Sequence, residues 1–119
     1  LIYFGAPSTQ GKIEDAKNCC KMSLEMMGIA SDFNINMRVG IHSGECMVGD
    51  YGSDQRMEYT VIGSAVNIAS RLESNSESGR ILISEPTQHL IHNDFECIEN
   101  EFLVLKGIKK RVRTFWLEI

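Results

Sequence analysis

Across one short turn the apolar period of this chain changes from that of a strand to that of a helix. Met57-Glu58-Tyr59-Thr60-Val61-Ile62 reads as a strand, Gly63-Ser64 breaks it, and Ala65 to Glu73 continues as a helix with Ser64 as its N-cap. At about 100° per residue, Ala65, Ile68, Ala69 and Leu72 cluster on one face, and Asn67 and Arg71 fall together on the opposite side. The strand therefore delivers Thr60 near its end, and the helix displays an amide and a guanidinium one turn apart.

The other segments follow the same grammar. Leu1 to Gly5 is apolar and aromatic and stops at Gly5-Ala6-Pro7, as a buried strand with a breaker would. Gln10 to Met27 has helical spacing, with Gly28 as the expected stop. Met37 to Gly44 alternates and continues through Gly49, turn residues occupy 50–55, and Gly40, Gly44 and Gly49 suggest bulges or close backbone approach. Glu73 to Gly79 is a polar loop, Arg80 to Ser84 a strand, and Glu85 to Ile91 a short helix with Pro86 in its first turn. Two strands, about 94–104 and 111–118, close the chain through Lys106-Gly107. This order predicts an α+β fold, helices packed on one mixed sheet, with no internal repeat or domain boundary within 1–119. An opening in what reads as mid-strand, with no initiator Met, suggests part of a longer polypeptide.

Composition narrows the function classes. With 119 residues, 43% hydrophobic and 24% charged, the chain is one ordinary globular domain. It has neither a bilayer-length apolar run nor a basic leader, so an aqueous, cytoplasmic setting without direct membrane contact from this segment is expected. The net charge of −4 conceals a basic cluster: Lys106, Lys109, Lys110, Arg111 and Arg113 are five of the twelve basic residues. An acidic body argues against nucleic-acid binding, while the cluster itself reads most simply as an edge strand guarded by charge. Cys19, Cys20, Cys46 and Cys97 show no zinc spacing, and His89 and His92 have no completing ligand nearby; reduced thiols packed as small hydrophobes account for the cysteines.

Asn67 and Arg71 carry no proton to exchange at neutral pH, which suits them to hold a phosphate or stabilise developing charge rather than to act as acid or base. The same pair on an isolated helix would be ordinary surface polarity, and neither a dinucleotide fingerprint nor a P-loop accompanies it. Its surroundings are more specific. Gly40-Ile41-His42-Ser43-Gly44, Val48-Gly49, Tyr59 to Gly63 and Val66 to Glu73 occur in order, between Phe4-Gly5-Ala6-Pro7 and Gly79 to Ser84. Together these segments closely resemble the class III adenylate/guanylate cyclase catalytic domain. The likeness is dense from Met37 to Glu73 and looser over 10–27 and 85–103.

That resemblance implies a ferredoxin-like core, here truncated at its N-terminus, and head-to-tail pairing with a second cyclase domain. It implies a nucleotide site between the two chains and two divalent cations (Mg or Mn) held by aspartates of one partner. Thr60 matches the base-selecting position, Val61 and Ile62 the backbone lining the base pocket, and Asn67 the ribose-orienting asparagine. Arg71 matches the arginine that stabilises the reacting phosphoryl group, and Lys106 a lysine that reaches the polyphosphate. Both metal-binding aspartates and the base-selecting lysine belong to segments before Leu1, so this chain carries no expected metal ligand. Ser64 stands where the family commonly has Asp, a change an N-cap tolerates.

The resulting expectation is the C-terminal portion of an adenylate cyclase converting ATP to 3′,5′-cyclic AMP and pyrophosphate, the 119 residues alone being inactive and the parent open to membrane tethering. Thr60 favours ATP incompletely, because a hydroxyl both accepts and donates, so a guanylate cyclase stays open. A non-catalytic cyclase-homology module for dimerisation or nucleotide sensing is the other alternative. A nucleic-acid binder ranks last, for want of clustered surface aromatics.

Overall fold

The segment Ile81-Leu82-Ile83-Ser84 is buried at every position, as happens to a strand with neighbours on both edges and helices on both faces. In the computed structural model, which describes residues 2, 4–5, 9–44, 47–50, 59–62, 64–104 and 111–118, this strand is β4. The elements run α1 (Lys12–Asp32), β1 (Val39–Ile41), β2 (Met47–Asp50), β3 (Tyr59–Ile62), α2 (Ser64–Asn75), β4 (Ile81–Ser84), α3 (Glu85–Ile91), β5 (Cys97–Val104) and β6 (Arg111–Leu117). Four strands form a mixed sheet in the order β1-β4-β6-β5; β1 and β4 are parallel and the other pairs antiparallel. The β2 and β3 strands pair antiparallel as a separate two-stranded unit. The expected α+β class with a mixed sheet is what the chain adopts.

Alternation along β4 and β6 divides the core between the two faces. Ile81, Ile83, Phe115 and Leu117 point to one face, where they meet Ala16, Cys20 and Met27 of α1 and Ile91 of α3. Leu82 and Trp116 point to the other, where they meet Leu72 of α2, with Ile68 and Leu103 alongside. Arg80 lays its guanidinium on the Trp116 ring, 3.8 Å from the centroid, at the margin of this second cluster. Burial pushes the Cys19 thiol up to about 11 and the Cys20 thiol up to about 12, so both stay protonated. Cys19, Cys20 and Cys97 are free thiols packed in or against the first cluster, as small hydrophobes; Cys46 lies outside the described residues.

Several boundaries differ from the expectation, each for a physical reason. Helix α1 runs through Gly28 to Asp32, because Met27 and Ala30 continue the buried row of Ala16, Cys20 and Ser23. Packing outweighs the cost of one helical glycine, about 1 kcal/mol. The true stop is Asn34, in the left-handed region at φ 55°, with Ile35 N–H donating to the Ala30 carbonyl at 2.7 Å and Asn34 N–H to that of Ser31 at 3.1 Å. The alternating run 37–49 is not one strand: β1 joins the main sheet and β2 pairs with β3. Alternation reports which residues share a face and is silent on which strand lies beside them. Helix α2 extends to Asn75, into the expected loop, and starts at Ser64 itself; Gly63 lies outside the described residues.

The basic residues Arg111 and Arg113 lie where, among the described residues, β6 pairs with β5 alone, before its pairing with β4 begins at Thr114. Only the 114–116 half of β6 lies between β4 and β5, and Arg113 is neutralised by Glu99 and Glu85. In the opening segment Phe4-Gly5 is a bend, and Ile2 and Phe4 are exposed, so these residues do not form the buried strand their apolarity suggests. Leu1 and Tyr3 lie outside the described residues.

Candidate active site

Helix α2 is fixed to the sheet along one side. Leu72 is fully buried, Ala65 nearly so, and Ile68 packs against the Leu72–Leu82–Trp116 cluster. The backbone approach is closest at Gly40 of β1, where an added Cβ would stand 2.2 Å from the Glu73 nitrogen and 2.7 Å from the Leu72 carbonyl carbon. Only a residue without a side chain lets the helix lie this near the strand, as the strand glycine suggested. Arg38, just before β1, adds an ion pair to Glu73 at 3.3 Å.

The opposite side of α2 carries Asn67 and Arg71, both exposed. Four helical residues advance about 6 Å along the axis and return to nearly the same side, so the amide and the guanidinium emerge together from a rigid support. The Arg71 carbonyl accepts a 2.7 Å bond from the Asn75 side chain, and the Ser70 carbonyl one of 3.1 Å from Ser74, which secure the last turn of the helix. The site thus presents hydrogen-bond donors and a permanent positive charge on an open surface.

The remaining expected residues divide in two. Thr60, Val61 and Ile62 lie in β3, their backbone in register with Gly49, Val48 and Met47, and β3 ends two residues before α2 begins. Their side chains, and Lys106 together with Lys109 and Lys110, lie outside the described residues. The backbone therefore brings the Thr60 strand directly into the helix of Asn67 and Arg71.

A polar cluster at the C-terminal end of β1 was not singled out by sequence reasoning. His42 Nδ1 lies 2.7 Å from Ser84 Oγ, Ser43 Oγ lies 2.9 Å from Thr87 Oγ1, and Ser84 and Thr87 hydroxyls are 3.4 Å apart. Ser84 and Thr87 are fully buried, and burial pushes the half-buried His42 imidazole below its ordinary pKa. The signal available was the polar pair His42-Ser43 inside a glycine-bounded strand run, together with Ser84 and Thr87 at the start of α3.

A shallow cavity of about 320 Å³, lined by Met27, Ser31, Asn34, Ile35, Asn36, Ser78 and Gly79, sits beside the loop after α2 and has no charged side chain in its lining. It includes neither Asn67 nor Arg71. Among the described residues no group of three or more His, Cys, Asp or Glu side chains could hold a metal ion, so the donor set does not fit the cations and no metal step is derived for it. Among the same residues no helix is long and apolar enough to cross a membrane.

The whole chain, residues 1–119, matches the family described as the adenylate and guanylate cyclase catalytic domain. It is 43% identical over 86 residues to guanylate cyclase 32E of Drosophila melanogaster, covering 70% of this chain and 7% of that protein. The crystal structure of the adenylyl cyclase CyaB from P. aeruginosa superposes with a TM-score of 0.92 at 38% identity, covering 98% of this chain and 65% of that one. The guanylate cyclase domain of RhGC from Catenaria anguillulae, in complex with GTP, gives a TM-score of 0.87 at 29% identity, over 97% of this chain and 64% of that one.

Proposed function

This chain belongs to the adenylate and guanylate cyclase catalytic domain family, and from that premise we propose that it supplies the base-selecting and charge-stabilising half of a nucleotide site completed by a second cyclase domain. In this reading the complete domain converts ATP to 3′,5′-cyclic AMP and pyrophosphate. One observation carries it: Asn67 and Arg71 stand exposed on the side of α2 opposite the buried Ala65 and Leu72. An open face, outside the cavity described above, suits a site that another surface must cover.

The chemistry follows from the donors. The ribose 3′-oxygen attacks the α-phosphorus in line, the new O–P bond closes the ring, and the bond to the β-phosphoryl oxygen breaks to release pyrophosphate. Asn67 orients the ribose by its amide, which limits the reacting oxygen to a productive approach. Arg71 holds the charge that builds on the transferring phosphoryl group, a role for a delocalised, permanently charged fork. Neither takes up the hydroxyl proton, which passes to solvent water or leaves on the pyrophosphate. Thr60 selects the base, the backbone of Val61 and Ile62 lines the base pocket, and Lys106 meets the polyphosphate. The cations are assigned to residues outside this chain.

Three observations bear on the base. The likeness to an adenylyl cyclase structure at 38% identity and the hydroxyl at Thr60 support ATP. The guanylate cyclase names of the curated relatives support a second reading, GTP to cyclic GMP. Incubating the complete domain with either nucleotide and separating the products by chromatography decides between them. Cyclic AMP as the main product is expected. Cyclic GMP as the main product would move the substrate to GTP, and neither product would favour a non-catalytic module.

A further inference from the structure

We propose that His42 is a positioning residue, whose half-buried ring at the end of β1 sets the seat of α2 and through it the placement of Asn67 and Arg71. The inference rests on the cyclase reading for its catalytic consequence, and on geometry alone for the seat.

Two glycines of the β1 segment meet the two ends of α2's inner side. Gly40 faces the Leu72–Glu73 backbone, and a Cβ at Gly44 would stand 3.0 Å from the Ala65 Cβ. The two contacts lay the 40–44 segment along the inner side of α2 from its last turns to its first. His42 sits between them in sequence. The same Cβ at Gly44 would stand 3.1 Å from His42 Nε2, which places Gly44 between the imidazole and the first turn of α2.

On its other side the ring is anchored. Nδ1 bonds the fully buried Ser84 hydroxyl at 2.7 Å, and the adjacent Ser43 bonds the fully buried Thr87 at 2.9 Å. The end of β4, the start of α3 and the start of α2 therefore converge on three consecutive residues, meeting His42, Ser43 and Gly44 in turn. A neutral ring either donates to or accepts from Ser84. A protonated ring only donates, and it carries its charge into a setting that already disfavours it through desolvation.

Several ionisable groups on the surrounding elements are paired with one another. Glu85 of α3 pairs with Arg113 of β6 at 3.3 Å, Glu73 of α2 pairs with Arg38, and Lys17 of α1 pairs with Glu14 and Asp94. His89 lies further along α3, and Arg71 on the outer side of α2. β4 has no ionisable side chain.

The test uses the complete catalytic domain. Amide signals of Ala65 to Arg71 and the His42 ring are followed by NMR from pH 8.5 to 5.5, beside kcat and KM for the wild type, His42→Asn and His42→Ala. Asn keeps a hydrogen-bonding atom where Nδ1 stands and does not titrate. The expected result is that the α2 amides move with the midpoint of the His42 ring. His42→Asn keeps kcat near neutrality within about threefold and loses that titration, while His42→Ala lowers kcat roughly tenfold with little change in KM, less than the hundredfold that an ångström of misplacement can cost. Amides of α2 that ignore the protonation of His42 would overturn the proposal without any variant having to fold. So would a His42→Ala enzyme with the wild-type kcat at every pH. A domain that makes no cyclic nucleotide, yet whose α2 amides follow His42, would defeat the cyclase reading and leave the seat of α2 standing.

Discussion

Leu72 and Arg71 are neighbours in sequence with opposite duties. Leu72 is fully buried and joins α2 to Leu82 and Trp116, whereas Arg71 is exposed. Replacing Leu72 by Ala removes buried carbon and leaves a cavity, so the expected loss is about 2–5 kcal/mol of folding stability, measured by urea denaturation. His42 adds a pH dependence. Its folded pKa lies below the ordinary value of 6.5, so the unfolded chain binds the proton first. Stability is complete above about pH 6.5 and falls as pH drops below it, until the folded form also takes up the proton. Melting temperatures at pH 7.5 and pH 5.5 should differ in that direction, and His42→Asn should reduce the difference. The roles of these residues were not equally legible. The 100° period separated Leu72 from Arg71 directly, but the bonds of His42 and Ser43 reach partners 42 and 44 residues away, and no local pattern reports such a pairing.

At the scale of elements, the approach of α2 to β1 is governed by Gly40. A methyl group there would stand 2.2 Å from backbone, which cannot turn aside as a side-chain tip does. Gly40→Ala should therefore cost about 3 kcal/mol or more, the upper end of ordinary overpacking, and should lower kcat by shifting α2. Wild-type stability in that variant would contradict the close packing. The strand glycines showed where backbones meet but not which helix arrives. The short helix α3 was legible to its ends because Ser84, Pro86 and the buried Thr87 and Ile91 agree on its start and face. The end of α1 was not, since Gly28 signalled locally against a buried face that continued to Ala30. The edge of the sheet was legible only in part: among the described residues the basic half of β6, with Arg111 and Arg113, has β5 alone beside it, while residues 114–116 lie between two strands.

At the scale of the molecule, the described residues place a rigid pair of donors on an open face and offer no metal cradle. Under the proposed reading, in which aspartates of the partner domain hold the cations, the 119-residue chain alone is expected to form no cyclic nucleotide from ATP with Mg or Mn, and product scaling with its concentration would contradict the division of labour between two chains. The most direct test of the central claim is kcat of the complete domain carrying Arg71→Ala, with the melting temperature measured on the same sample. Losing one preorganised charge-stabilising donor should lower kcat about 10²–10³-fold while the protein stays folded. A folded Arg71→Ala domain turning over at the wild-type rate would remove α2 from the chemistry.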